Sequence, residues 1–235
     1  MLKAVMADVT PDNSFAKWQN LMDKLPPYLY DETGALKEWA TTSFEENNEH
    51  RHLSHLYCAW PLFETQHNEK LTKACEQAIA NRESENEASH ALVHRSLIAA
   101  RLKDRDALTD ALLNLQNHKI RYDSLMTNHD YDQGSCYCTD FAIGYLGIVN
   151  EALVYSNEGE IGLLPALPTS GFDKGTVKGI KARTRATVDS LSWDMNTGSV
   201  KATITSDIDQ QIKVTYGDTE KTLDFKAGVP QTVNF

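Results

Sequence analysis

The densest polar cluster in this sequence is Glu49-His50-Arg51-His52-Leu53-Ser54-His55. Three histidines and an arginine stand at the mouth of a predicted helix whose next turns are apolar. Three roles are open to such a segment. Imidazoles are common metal ligands, but no carboxylate or thiolate completes a recognisable set here. Arginine and histidine also direct donors at sugar hydroxyls, and Trp39 or Tyr57 could offer an apolar ring face. The plainest role is a helix N-terminus whose histidines satisfy loop carbonyls.

A second pattern is His90-Ala91-Leu92-Val93-His94, with the i,i+4 histidines of a zincin helix. Ala91 stands where that motif needs a glutamate base, so the pair reads as two histidines on a packed helix. A third is the polar loop Met126–Ser135, which includes His129, followed by Cys136-Tyr137-Cys138-Thr139-Asp140. An apolar helix follows at once, which places Asp140 at its N-cap or first turn. Capping there is worth about 1 kcal/mol. The alternative is a carboxylate that activates water, kept ionised by the amides of the helix N-terminus. Glu38, beside Trp39, reads as an acid or as a solvated charge.

The elements that must position these residues are helical over the first two thirds. Phe15, Trp18, Met22 and Leu25 fall at helical spacing before Pro26-Pro27. Leu53, Leu56, Tyr57 and Trp60 form a second stripe, and Leu71, Ala74, Cys75, Ala78 and Ile79 a third. The stretch Ala88–Leu102 is apolar on a broad face, as in a buried helix. Leu108, Ala111, Leu112 and Leu115 predict a short helix, and a last one runs from about Asp140 to Ser156. Beyond a turn at Asn157-Glu158-Gly159, Glu158–Pro168 reads as an extended seam between two domains. Alternation at Val200, Ala202 and Ile204, and at Ile212, Val214 and Tyr216, predicts an antiparallel β-domain of roughly five to seven strands. The expected boundary separates residues 1–158 from 159–235.

Composition narrows the partners. A net charge of −10 disfavours nucleic acid and anionic membranes, both of which are negative. No run of about 20 apolar residues occurs. The N-terminus is too quickly polar for a signal peptide, which makes the cytoplasm the default for this chain while leaving a parent protein free to be secreted. Four cysteines without a CxxC pair suggest reduced thiols, neither a disulfide scaffold nor a zinc knuckle.

Four segments taken together resemble glycoside hydrolase family 95, the inverting 1,2-α-L-fucosidases and α-L-galactosidases. In order they are Leu36-Lys37-Glu38-Trp39, His50-Arg51-His52-Leu53-Ser54-His55-Leu56, Asp140 with its helix, and Gly159–Pro168 with its Leu163-Leu164-Pro165-Ala166-Leu167-Pro168 core. Gly175–Arg183 also looks like the family's opening of its C-terminal β-domain. The resemblance implies a partial (α/α)6 toroid, the C-terminal part of the catalytic domain, followed by a small antiparallel β-sandwich-like domain. It implies Asp140 as general base and Arg51 and His52 as sugar contacts, with His50, Trp39 and His129 expected beside them. The family's general-acid Glu and its Asn pair belong to segments upstream, leaving Glu38 and Glu49 as stand-ins. Two departures mark a divergent subgroup: Phe141-Ala142-Ile143-Gly144 replaces a Gly-Asn-Phe-Gly run, and His90 and His94 stand at aromatic positions.

The expectation is therefore an enzyme part acting on α-linked fucose or a related L-sugar of glycans, inactive alone and completed by an N-terminal chain or segment. No metal or cofactor is expected. A non-catalytic carbohydrate-binding or structural remnant is the alternative, and a lyase or phosphorylase on the same toroid is a third.

Overall fold

The computed structural model describes residues 14–82, 88–117, 127 and 136–235. Among these, five α-helices precede eight strands. The helices are α1 (Ser14–Met22), α2 (Glu69–Ala80), α3 (Ser89–Leu102), α4 (Arg105–Asn117) and α5 (Thr139–Leu153).

Local chemistry explains most boundaries. The Asn68 side chain accepts from the Leu71 amide and starts α2, whose buried face is Leu71, Ala74, Cys75, Ala78 and Ile79. Helix α3 ends at Lys103, which takes a left-handed φ of 64°. Asp104 then accepts from the Ala107 amide at 3.0 Å and opens α4, so α3 and α4 form a tight hairpin. Helix α5 lies against α3 at a glycine. A Cβ on Gly144 would stand 2.6 Å from Val93 Cγ1, so only glycine allows this approach.

Two helical expectations are corrected. The stripe from Leu53 to Trp60 forms only a 3₁₀ turn, Ser54–Cys58: of its four stripe residues only Leu53 and Leu56 are fully buried, and Tyr57 faces out. The stripe of α1 is helical but faces solvent: Trp18 is 45% and Met22 62% exposed, and no described element covers them.

The strands are β1 (Val154–Asn157), β2 (Glu160–Leu163), β3 (Lys174–Ala182), β4 (Ala186–Asp194), β5 (Ser199–Ser206), β6 (Gln210–Tyr216), β7 (Thr219–Phe225) and β8 (Gln231–Asn234). They form two four-stranded sheets, ordered β1-β2-β6-β7 and β3-β4-β5-β8. The alternating residues Val200, Ala202 and Ile204, and Ile212 and Val214, all point inward. The β-domain is not wholly antiparallel, since β2 pairs parallel with β6. The chain leaves β2, builds β3 to β5 in the other sheet and returns, and such a crossover permits parallel pairing. The turn at residues 157–160 is a hairpin inside one sheet, so β1 on its helical side already belongs to the strands.

One hydrophobic core runs from α3, α4 and α5 through Leu163, Leu164, Ala166 and Leu167 to the inner faces of both sheets. A second lies under Leu36, the 3₁₀ turn and α2, and borrows Ile98 and Leu102 from α3. A buried ion cluster joins the two domains. Glu151 of α5 meets Arg101 of α3 at 3.0 Å and Arg183 from the turn after β3.

Candidate active site

A cleft of about 480 Å³ opens where the first turns of α3 and α5 meet the 3₁₀ turn. Helix α3 contributes His90, Val93, His94 and Leu97. Their i, i+3, i+4, i+7 spacing puts them on one face. Helix α5 contributes Thr139, Asp140, Ile143 and Gly144, and the 3₁₀ segment contributes His52, Ser54, Tyr57 and Trp60.

Each wall is held from behind. Arg82 Nη1 donates to the carbonyls of Asn47 and His50 at 2.8 and 3.0 Å, which fixes the start of the histidine-rich segment. Leu53 and Leu56 anchor it below. After Trp60, Arg101 Nη1 donates to the carbonyls of Pro61 and Leu62, so the buried ion cluster also secures this wall. On α5, Cys138 is the N-cap residue and makes no side-chain cap bond. Its backbone is tied to Thr127, whose hydroxyl donates to the Cys138 carbonyl. Asp140 is therefore a first-turn residue and not the cap, and its side chain is 59% exposed.

The histidines form an edge-to-face chain. The His50 and His52 rings lie 4.8 Å apart, and those of His52 and His90 5.1 Å apart. His90 Nδ1 is 3.1 Å from Asp140 Oδ2. Behind them His94 packs near Tyr57 and Trp60. Burial pushes the His94 pKa down to about 4, helped by the charges of His90 and His52 and opposed by a bond to the Trp60 carbonyl. Burial, then Arg82 and His94, push His55 down to about 3. Both are neutral near pH 7 and serve as packing groups, with His94 also bonded to the Trp60 carbonyl. Among the described residues no group of three or more His, Cys, Asp or Glu could hold a metal ion.

Of the residues singled out from sequence, Asp140 and His52 line the cleft together. His50 adjoins it through His52, and Arg51 is half-buried beside His52 outside the lining. Trp39 stands apart, exposed and packed edge-on against Phe44. His129 lies outside the described residues. Glu38 is drawn into a network with Arg82 and Glu46 and is not in the lining. The sequence reading missed His90 and His94 as cleft residues. The signal was their shared face with Val93 and Leu97, which takes meaning only once α5 is placed opposite.

Chemically the cleft joins one outward carboxylate, imidazole donors, a hydroxyl pair at Ser54 and Thr139, and ring faces at Tyr57 and Trp60. Such a set suits a neutral polyhydroxylated ligand with an apolar face. With a helical layer sewn to a two-sheet β-domain, it has the form of a glycoside hydrolase. The chain belongs to glycoside hydrolase family 95: the Glycosyl hydrolase family 95 catalytic domain matches residues 1–153, and the Glycoside hydrolase family 95, C-terminal domain, matches residues 155–234. Alpha-L-fucosidase 2 of Arabidopsis thaliana is 30% identical over 213 residues, covering 82% of this chain and 25% of that protein. Probable alpha-fucosidase A of Aspergillus oryzae is 30% identical over 216 residues, covering 80% of this chain and 30% of that protein. The chain thus spans between a quarter and a third of the length of these relatives.

Proposed function

We propose that this chain carries the general base and one wall of the sugar cleft of an inverting α-L-fucosidase-like glycoside hydrolase, acting on terminal α-linked fucose or a related L-sugar of glycans. The observation that carries this reading is Asp140, the one carboxylate lining the cleft among the described residues, set on the first turn of α5. In an inverting hydrolysis a base takes a proton from water as the water oxygen bonds to the anomeric carbon. The glycosidic C–O bond breaks on the opposite face, and an acid protonates the leaving oxygen. Asp140 fills the first role. His52 supplies a donor to ring hydroxyls, Tyr57 and Trp60 take the apolar sugar face, and Val93, Leu97 and Ile143 suit the methyl of a 6-deoxy sugar.

The acid must lie roughly 6.5–9.5 Å from the base. Among the described residues no second carboxylate lines the cleft, and in keeping with the family resemblance we propose that the acid comes from an upstream segment of the enzyme. Helices that complete the toroid would also cover Ile143 and Leu146, which are 75% and 69% exposed on α5. Alone, the chain then binds sugar weakly and hydrolyses little.

The test is release of fucose from a 1,2-linked α-L-fucoside by this chain alone and with an N-terminal family segment supplied. Hydrolysis is expected only in the second case, with Asp140→Asn lowering kcat by about 10²–10⁴-fold. Robust release by the chain alone would overturn the incomplete-site reading. An unchanged rate in Asp140→Asn would overturn the assignment of the base. Sugar binding without hydrolysis in every combination would favour a non-catalytic carbohydrate-binding remnant.

A further inference from the structure

We infer that His90 is the positioning residue for Asp140: held as its Nδ1–H tautomer, it commits Oδ2 of the carboxylate and leaves Oδ1 to receive the proton of water. The inference rests on the reading of Asp140 as base and adds a residue to that machinery.

A carboxylate oxygen only accepts hydrogen bonds, so the 3.1 Å approach of His90 Nδ1 to Asp140 Oδ2 puts the hydrogen on Nδ1. Free neutral histidine prefers the other tautomer, with the hydrogen on Nε2, and a fixed partner is what selects between them. The partner here is fixed by helix packing. His90 and Asp140 stand in the first turns of α3 and α5. The two helices close on one another at Val93 and Gly144, one turn further along. The His90 ring is further held edge-on by His52, at an interplanar angle of 67°.

The Asp140 side chain is more than half exposed and has no cap bond to hold it, since the helix start is tied through the Cys138 backbone. Without His90 its carboxylate turns freely about Cβ–Cγ. A base that turns freely spends little time aligned with an attacking water, and a misplacement of about 1 Å can cost 10²-fold in rate. The effect falls on kcat, because the sugar is held mainly by other groups of the cleft.

The deciding experiment is NMR of the ¹⁵N-histidine-labelled chain at a pH where the imidazoles are neutral, with two-bond proton–nitrogen correlations that separate the two tautomers. His90 is expected as Nδ1–H in the wild type and as Nε2–H in Asp140→Ala. An Nε2–H ring in the wild type, or a tautomer unchanged by Asp140→Ala, overturns the inference. This readout needs no catalysis. The second arm is kinetic, in the form of the enzyme that releases fucose. His90→Phe keeps the ring and loses the donor, and should lower kcat by about 10–10²-fold with little change in KM. His90→Asn, whose amide N–H reaches the place of Nδ1–H, should recover most of that loss. Equal kcat in His90→Phe and wild type, with Asp140→Asn inactive, removes His90 and leaves the base assignment standing. An active Asp140→Asn removes the base assignment itself.

Discussion

At the scale of single residues, the histidines divide by burial. His94 and His55 are packed behind the cleft and kept neutral, at about 4 and about 3. In the unfolded chain each titrates near its ordinary value of about 6.5. Between pH 6.5 and about 4 the unfolded state therefore binds more protons than the folded one, and stability must rise with pH in that window. The contribution is complete above pH 6.5, and is lost as pH falls to about 4 for His94 and to about 3 for His55. Each group contributes at most about 1.4 kcal/mol per pH unit. Urea unfolding at pH 7, 6 and 5 should show this slope, and His94→Gln and His55→Gln should each flatten it. A slope indifferent to both changes would place the acid sensitivity elsewhere. At this scale Asp140 and His52 were legible, because a family motif carries each of them. His90 and His94 were not. Their neighbours Ala91, Leu92 and Val93 are apolar, and a helix rich in apolar residues reads as buried on all sides until a second helix shows which face is open.

At the scale of elements, the approach of α5 to α3 is the feature that makes the cleft. It depends on Gly144, whose missing Cβ leaves room for Val93 Cγ1. By helix propensity alone, Gly144→Ala should stabilise α5 by up to about 1 kcal/mol. The clash at 2.6 Å should reverse that sign, because valine is stiff at χ1 and cannot swing away as a long side chain would. A net loss of about 1–2 kcal/mol is expected, in the range of overpacked cores. Thermal melting should show it, and Val93→Ala in the same chain should return most of it. If Gly144→Ala melts at or above the wild type, the helices are free to separate and the approach is not the constraint described. The long periodic helices and the strands were readable because each buries a regular stripe: Leu71 to Ile79 on α2, Val200 to Ile204 on β5. Two stripes misled. Leu53 and Leu56 satisfy a spacing of three, which a 3₁₀ turn meets as well as an α-helix. The stripe of α1 has the helical period but no described surface to bury against.

At the scale of the whole molecule, the β-domain is coupled to the cleft through charge. Arg183 lies at the end of β3, holds Glu151, and is 43% exposed. Glu151 holds Arg101, whose side chain is 1% exposed. Arg101 in turn donates to the Leu62 carbonyl at 2.9 Å, two residues past Trp60 in the cleft wall. None of this was visible in the sequence, since Arg101 and Glu151 stand 50 residues apart and nothing in their local patterns calls for a partner. Removing the shared anion is the severe change. Glu151→Gln leaves Arg101 buried with only carbonyl acceptors, and losing one member of a buried pair costs about 3–5 kcal/mol. The three carbonyls that remain around Arg101 should hold the loss near the lower end of that range. Arg183→Met should cost less than about 1 kcal/mol, as for other half-exposed pairs. Both variants should unfold in a single transition, because the larger hydrophobic core crosses from α3 to both sheets, and the second core shares helix α3 with it. Hydrogen exchange locates the effect: amide protection at residues 59–64 should fall in Glu151→Gln well before that of the strands, since those carbonyls lose their fixed donor. Uniform loss of protection would mean that the cluster stabilises the fold without steering the cleft, and the route from β3 to Trp60 would then be packing alone.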